Sequence, residues 1–142
     1  MLTDLYSFVV SDDMSGLDAD RAAAIATIRS MIGTQMYPLT LREGTVPPAL
    51  TYQLIDNGAD HTLDGANDGL FHPRVQIDGW ALRYVDLITL SDAVRIALDG
   101  FIGFIGPGLT DVNVLIWDNE MDTYEPDRKE FRKTLDFRVI HN

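Results

Sequence analysis

The sequence predicts an α+β fold in which a four-stranded, mainly antiparallel sheet packs against two or three helices. Two segments, residues 18–33 and 84–100, repeat apolar residues every three to four positions, as amphipathic helices do. Residues 74–81 and 132–140 instead alternate apolar and polar residues, as half-buried strands do. The predicted order of two helices, two strands, one helix and two strands is typical of the α+β class.

Both N-terminal segments are predicted to be helical. Residues 3–13 have helical spacing after a possible cap at Thr3, although their β-branched residues would also suit a short strand. The second helix begins after a cap at Asp18 or Asp20 and ends at Gly33. Its predicted stripe consists of Ala22, Ile25, Ile28 or Arg29, and Ile32.

Two strands and a long loop are predicted in the next part of the chain. Prolines and Gly44 make residues 37–48 an extended connection, and the alternating ALTYQLID at 49–56 is the first strand. Residues 57–70 are rich in Gly and Asp and are predicted to form a long hairpin loop. In the second strand, at 74–81, one face should be half-exposed.

The third helix is predicted directly after the strand at 74–81 and should end at Gly100, where a left-handed cap is favoured. Its predicted buried stripe is Tyr84, Leu87, Leu90 or Ser91, Val94, and Ala97 or Leu98. Residues 101–111 are predicted to be a loop before strands at 112–117 and 132–140. The acidic segment 119–130 between these strands has the composition of a polar hairpin tip.

Composition indicates one globular domain, residues 1–142. The formal net charge of −11 makes sequence-specific nucleic-acid binding unfavourable. The absence of cysteine excludes disulfides and thiolate metal sites. The sequence has neither a signal peptide nor an apolar run of the length that spans a bilayer, so a cytoplasmic chain is expected.

Three motifs resemble calcium, phosphate or metal sites, but none has the residues or the spacing that such a site requires. The loop that begins at Asp64 resembles a calcium loop, but Ala66 occupies a ligand position and Val75 the position of the bidentate Glu. The glycine-rich residues 103–108 leave a helix and open a strand, which is the wrong order for a phosphate loop. The histidines are too scattered to predict a metal site; they are His61, His72 and His141.

The acidic residues Asp118, Glu120 and Asp122 would point the same way in an extended segment. Carboxylate pairs can perform acid and base chemistry when a hydrophobic pocket raises one pKa. A small hydrolase would use Asp118 and Glu120 with His72, but the polar neighbours favour a hairpin tip. We therefore predict that the protein is not an enzyme and has no cofactor.

The connection after the third helix is unusually apolar for a loop. Its apolar residues are Phe101, Ile102, Phe104, Ile105 and Pro107. Two interpretations remain open: these side chains fold back over the core, or they form a surface that another subunit covers.

Taken in order and spacing, a series of fragments from about residue 31 to residue 140 resembles the bacteriophage tail-completion or tail-terminator family. The fragments are MYPL at 36–39, PPALTYQLI at 47–55, HTLDG at 61–65, RVQIDGWA at 74–81, AVRIALDGF at 93–101, DNEMDTYEPD at 118–127 and FRKTLDFRV at 131–139. This sequence departs from the family's pattern at its N-terminus, where SDDMSGLDAD at 11–20 lengthens or divides the family's first helical region. Residues 1–20 are therefore expected to be a variable segment.

The resemblance implies a non-catalytic structural protein of long-tailed phages, prophages or gene transfer agents. Such proteins form a homohexameric ring that ends the tail tube and joins it to the head connector or stopper protein. DNA passes through the lumen without specific binding, and no membrane, metal or cofactor is involved. The implied location is the head–tail junction of the virion, with assembly in the bacterial cytoplasm.

Two groups of residues are predicted to make the assembly contacts. The apolar connection, with Phe101, Ile102, Phe104 and Ile105, would contact a neighbouring subunit or the tail tube. The long loop would face the lumen or a neighbouring ring through Asp60, His61, Asp64, Asn67 and Asp68. The alternatives are a head-closure or connector-adaptor protein of the same neck and, less favoured, a small binding module unrelated to phages.

Overall fold

The structure is a computed structural model that describes residues 2–11, 14, 16–56, 59–61, 67–71, 74–105 and 110–141. Within these ranges the chain forms three helices and eight strands, which confirms the mixed α+β class. The helices are α1 (Leu2–Val10), α2 (Ala19–Ile32) and α3 (Tyr84–Leu98). The strands are β1 (Met36–Pro38), β2 (Ala49–Asp56), β3 (Ala59–His61), β4 (Asn67–Phe71), β5 (Arg74–Ala81), β6 (Gly103–Ile105), β7 (Thr110–Glu125) and β8 (Glu130–His141).

All eight strands belong to one mixed sheet with β8 near its centre. One side of β8 pairs with β5 and the other with β7. Strand β4 continues the β5 ladder in the same register, because Phe71 pairs with His141 as Arg74 pairs with Arg138. Strand β3 extends β2 in the same way, so these segments make one long hairpin. The short β1 is parallel to β2 at one edge, and β6 flanks the start of β7.

The four predicted strands are the four long strands of the sheet, and three predicted boundaries were wrong. Residues 57–70 were predicted to be a loop, but they include β3 and β4. Residues 101–111 were also predicted to be a loop, but they include β6 and the start of β7. Residues 119–130 were predicted to be a hairpin tip, but β7 runs to Glu125 and only residues 126–129 form the turn. In each case a partner strand satisfies the backbone of the segment, and local composition does not reveal that partner.

The helices cover one face of the sheet and form the core with it. Strand residues Ile77, Leu135 and Phe137 are each 1% exposed on this face. The helices contribute Leu5, Phe8, Ile25, Ile28, Leu90, Val94 and Leu98 to the same cluster. The predicted stripes of α2 and α3 are therefore buried, with two exceptions: Tyr84 is 43% exposed, and Ala22 is only partly buried.

Local signals identified the ends of α2 and α3, but the predicted cap Thr3 lies inside α1, which begins at Leu2. The Asp18 carboxylate accepts a hydrogen bond from the Arg21 amide at 2.9 Å, so Asp18 is the N-cap of α2. Gly33 follows α2 with φ of 60°, which glycine adopts without strain. Gly100, with φ of 76°, turns the chain after α3, and its amide donates to the Leu115 carbonyl at 2.6 Å.

Arg29 of α2 holds the C-terminal end of α1. Its Nε donates to the Val9 carbonyl at 3.0 Å and its Nη2 to the Phe8 carbonyl at 3.4 Å. We expect Arg29→Met to lower the free energy of unfolding by about 1.5–3 kcal/mol, because charge-assisted bonds to helix-end carbonyls are lost. Urea unfolding measures the change. Arg83→Met at an exposed position is the control and should stay within about 0.5 kcal/mol of the unmodified protein.

Candidate functional site

The outer face of the sheet, opposite the helices, is the first surface to consider. The outer side of β5 was predicted to be half-exposed, but Asp78 and Trp80 are only 7% and 8% exposed. Loop residues 39–41 and the β7–β8 turn border them and cover this end of the sheet. The Trp80 indole also donates from Nε1 to the Thr51 hydroxyl at 3.0 Å, which satisfies both buried groups.

A depression of about 400 Å³ lies beside Trp80 on this outer face. The guanidinium carbons of Arg128 and Arg132 lie 5.8 and 5.3 Å from the Trp80 ring centre. Both arginines are already neutralised, by Glu130 at 2.8 Å and Glu125 at 3.5 Å. The depression therefore offers stacked but paired cations, and we assign it a structural role in anchoring the β7–β8 turn.

The acidic residues of β7 do not share a face as predicted. Asp118 lies 3.8 Å from both Arg74 and Arg138 on the outer face. Asp122 instead contacts Lys133 at 3.3 Å and accepts from the Tyr84 hydroxyl at 2.6 Å on the helix face. A register shift between Trp117 and Asn119 separates them, because the extra residue reverses the alternation.

This division separates Asp118 from Glu120, the two carboxylates of the hydrolase hypothesis, while Glu120 and Asp122 stay on one face. Glu120 is in register with Leu135, whose side chain points to the core, so Glu120 lies on the helix face and Asp118 on the other. His72, the third member of the hydrolase hypothesis, lies outside the described residues.

Tyr84 at the start of α3 has a raised pKa. The hydrogen bond to Asp122 is the main cause, followed by the negative charges of Asp122 and Glu120. Burial raises the pKa of Tyr52 as well, with a smaller effect from Tyr6. The Tyr84 ring also packs on Phe131 with ring centres 5.6 Å apart, so it links α3 to β7 and β8.

We expect Asp122→Ala to lower the pKa of Tyr84 toward its usual value, because the bond that stabilises the neutral phenol is removed. The folded chain holds this proton more tightly than the unfolded chain. The resulting stabilisation is complete below the unfolded pKa and is lost as pH rises through the folded pKa. Tyrosinate absorbance, measured as the difference from a Tyr84→Phe variant, follows the titration. Glu120→Gln should cause a smaller change, and an unmoved Tyr84 in Asp122→Ala would contradict the assignment.

The apolar connection after α3 contains one buried side chain, Phe101, and one exposed side chain, Ile102. Phe101 is 6% exposed and packs on Phe8 with ring centres 4.8 Å apart, so it belongs to the core rather than to a contact surface. Ile102 is 71% exposed and remains available to a neighbour. The backbone of Phe104 and Ile105 forms β6, and Pro107 lies outside the described residues.

The predicted lumen residues are strand residues where the structure describes them. Asp60 and His61 belong to β3, and Asn67 and Asp68 to β4. His61 pairs with Asn67 across the hairpin. Asp64 lies outside the described residues. The described residues of this segment therefore belong to strands of the sheet.

Exposed apolar residues on α3 were missed by the prediction of a single buried stripe. Val85 is 54% exposed, Ile88 37% and Ile96 47%. With Ala23 and Thr27 of α2, Ile96 lines an open groove of about 430 Å³ between the two helices. The signal was present in the sequence, because these residues fall off the predicted stripe on a helical wheel.

In the described ranges, no group of His, Asp and Glu is arranged to hold a metal ion. His61 and His141 lie on separate strands, β3 and β8, and His72 is not among the residues described. None of the helices in the described part of the chain has the length and apolar character that crossing a membrane requires.

Comparison with known proteins reveals a relative in structure. No family model matches the sequence, and no curated protein matches it. A solved structure described as "Virion of native gene transfer agent (GTA) particle" contains a similar chain, with a TM-score of 0.53 and 16% identity. The match covers 90% of this chain and 88% of that one. The two chains share a fold.

Proposed function

We propose that this chain is a structural virion protein of a phage-like particle. The observation that carries the proposal is the fold shared over 90% of the chain with a component of a gene transfer agent virion. The resemblance in sequence to the tail-terminator family supports the same class independently. Within that class we propose a hexameric ring that ends the tail tube and joins it to the head connector.

A closed ring requires two different patches on each subunit that meet around the circle. Ile102, the exposed part of the apolar connection, is our candidate for one patch. A globular chain of this length has a diameter of roughly 38 Å, and six touching subunits enclose a hole of about the same width, which admits duplex DNA.

The acidic composition suits a lumen that DNA passes through. With a net charge of −11, residues that face the hole would repel phosphates and discourage binding. The segment with Asp60, His61, Asn67 and Asp68 on β3 and β4, together with the predicted residue Asp64, is our candidate for the lumen or a neighbouring ring.

Electron microscopy of the purified protein, alone and mixed with tail tubes, tests the proposal. We expect six-fold rings, and a ring at one end of each tube. Rings that bind isolated connectors but never tubes would indicate a head-closure or connector-adaptor protein instead. A protein that stays monomeric and decorates neither structure would refute the proposal.

A further inference from the structure

Strand β7 forms an edge of the sheet that is only partly covered. Over its first residues β6 pairs with it, from Gly103 with Val112 to Ile105 with Thr110. The turn after α3 covers the next part, where the Leu115 amide donates to the Phe101 carbonyl at 3.1 Å. The Trp117 amide donates to the Asp99 carboxylate at 2.9 Å. From Asp118 to Glu125, nothing among the described residues pairs with this edge.

The register identifies which backbone groups point outward. The amides of Leu115 and Trp117 point away from β8. In the ladder these two residues are in register with Val139 and Phe137 of β8. After the register shift, the residues that face alternate β8 positions in the same phase are Glu120, Asp122 and Tyr124. Each of these three therefore offers one N–H and one C=O to a strand added at the edge.

The other edge of the sheet does not offer such a template. Strand β1 has only three residues and ends at Pro38, which lacks an N–H. Short edge strands and proline are the means by which proteins protect a sheet edge from pairing. The β7 edge from Asp118 to Glu125 is longer and contains no proline.

The side chains along the open edge are acidic on the helix face. Glu120 and Asp122 share this face with Tyr124, which is 49% exposed. The Lys133 ammonium, 3.3 Å from Asp122, offsets one of the two negative charges. Ile88, one helical turn after Tyr84 on α3, is 37% exposed. On the outer face, Met121 is 58% exposed.

We propose that the open β7 edge, residues 118–125, receives an extended segment of another protein in which basic and apolar residues alternate. Its lysines or arginines would lie opposite Glu120 and Asp122 on the helix face, with their stems against Tyr124 and Ile88. Its apolar residues would meet Met121. A second copy of the β7 edge is a poor occupant, because it would place carboxylates opposite carboxylates. The inference does not depend on ring formation.

The test uses the full chain with a short acetylated peptide of alternating lysine and valine, and hydrogen exchange resolved by NMR. Bound peptide should slow exchange of the Glu120, Asp122 and Tyr124 amides at least about tenfold, while the Met121 amide, already in the β7–β8 ladder, stays unchanged. Raising the salt concentration should weaken binding. A peptide of alternating glutamate and valine should not bind.

Two kinds of variant separate backbone pairing from charge. Glu120→Pro removes an outward N–H and should abolish binding, whereas Glu120→Ala keeps that N–H and should only weaken binding. Because proline can disturb the fold, the double variant Glu120→Lys with Asp122→Lys is an independent test. It should prefer the glutamate peptide.

Three results would overturn the proposal. The first is an edge that neither peptide protects. The second is protection that spreads evenly over β7 rather than alternating. The third is protection that grows with protein concentration in the absence of peptide, which would assign the edge to a second copy.

Discussion

The Phe101→Ala variant should lose about 3–5 kcal/mol of unfolding free energy, because removing a buried aromatic ring leaves a cavity. Phe101 is 6% exposed and packs on Phe8 of α1, and the Arg21 guanidinium carbon lies 5.7 Å from its ring centre. The ring therefore fastens α1 and α2 to the chain that leaves α3. The loss should appear as a lower urea midpoint with an unchanged dependence on urea concentration.

Ile102→Ala is the matched control for this variant, since it shortens the neighbouring side chain. At 71% exposure the change should stay within about 0.5 kcal/mol of the unmodified protein. Equal losses at the two positions would mean that Phe101 is not the inward residue of the pair.

The second large effect is expected on assembly rather than on folding. In the proposed ring, Ile102→Asp places a charge in the contact between neighbouring subunits and should prevent ring formation. Loss of a central apolar contact costs about 2 kcal/mol or more per interface, and a closed ring repeats the cost at every interface. The isolated subunit should keep its stability, because the side chain faces solvent.

Sedimentation velocity and negative-stain images compare the variant with the unmodified protein. Val46→Asp provides the control, because Val46 is 66% exposed and lies elsewhere, between β1 and β2. Rings should persist in that control. Intact rings in Ile102→Asp would remove Ile102 from the interface, while the remainder of the ring proposal would still be open to test by its lumen residues.

The candidate surfaces show where prediction from local pattern stops. Asp118 and Asp122 are four residues apart, and simple alternation puts them on one face. A single extra residue near Trp117 sends one to Arg74 and the other to Tyr84. Nothing in the composition of this segment indicates the bulge, because the bulge depends on how β7 pairs with β8.

Segment 57–70 shows the same limit in a different way. Its Gly and Asp content is typical of a loop, yet β3 and β4 continue the ladders of β2 and β5 through it. Pairing with strands already aligned outweighs the low strand propensity of these residues, since propensity in a sheet is set mainly by context.

The sequence by itself left open whether the α1 segment is a helix or a strand and whether Asp18 or Asp20 caps α2, but it determined the fold class, α2, α3 and the four long strands. These features follow from the period of apolar residues and from backbone preferences, which act over a few neighbouring positions. Tertiary structure alone decided that Phe101 lies inside and Ile102 outside, that the β7 acids divide between two faces, and that one edge of the sheet stays open. Each of these outcomes depends on partners distant in the chain, and the free energy of such contacts appears only when the chain is folded.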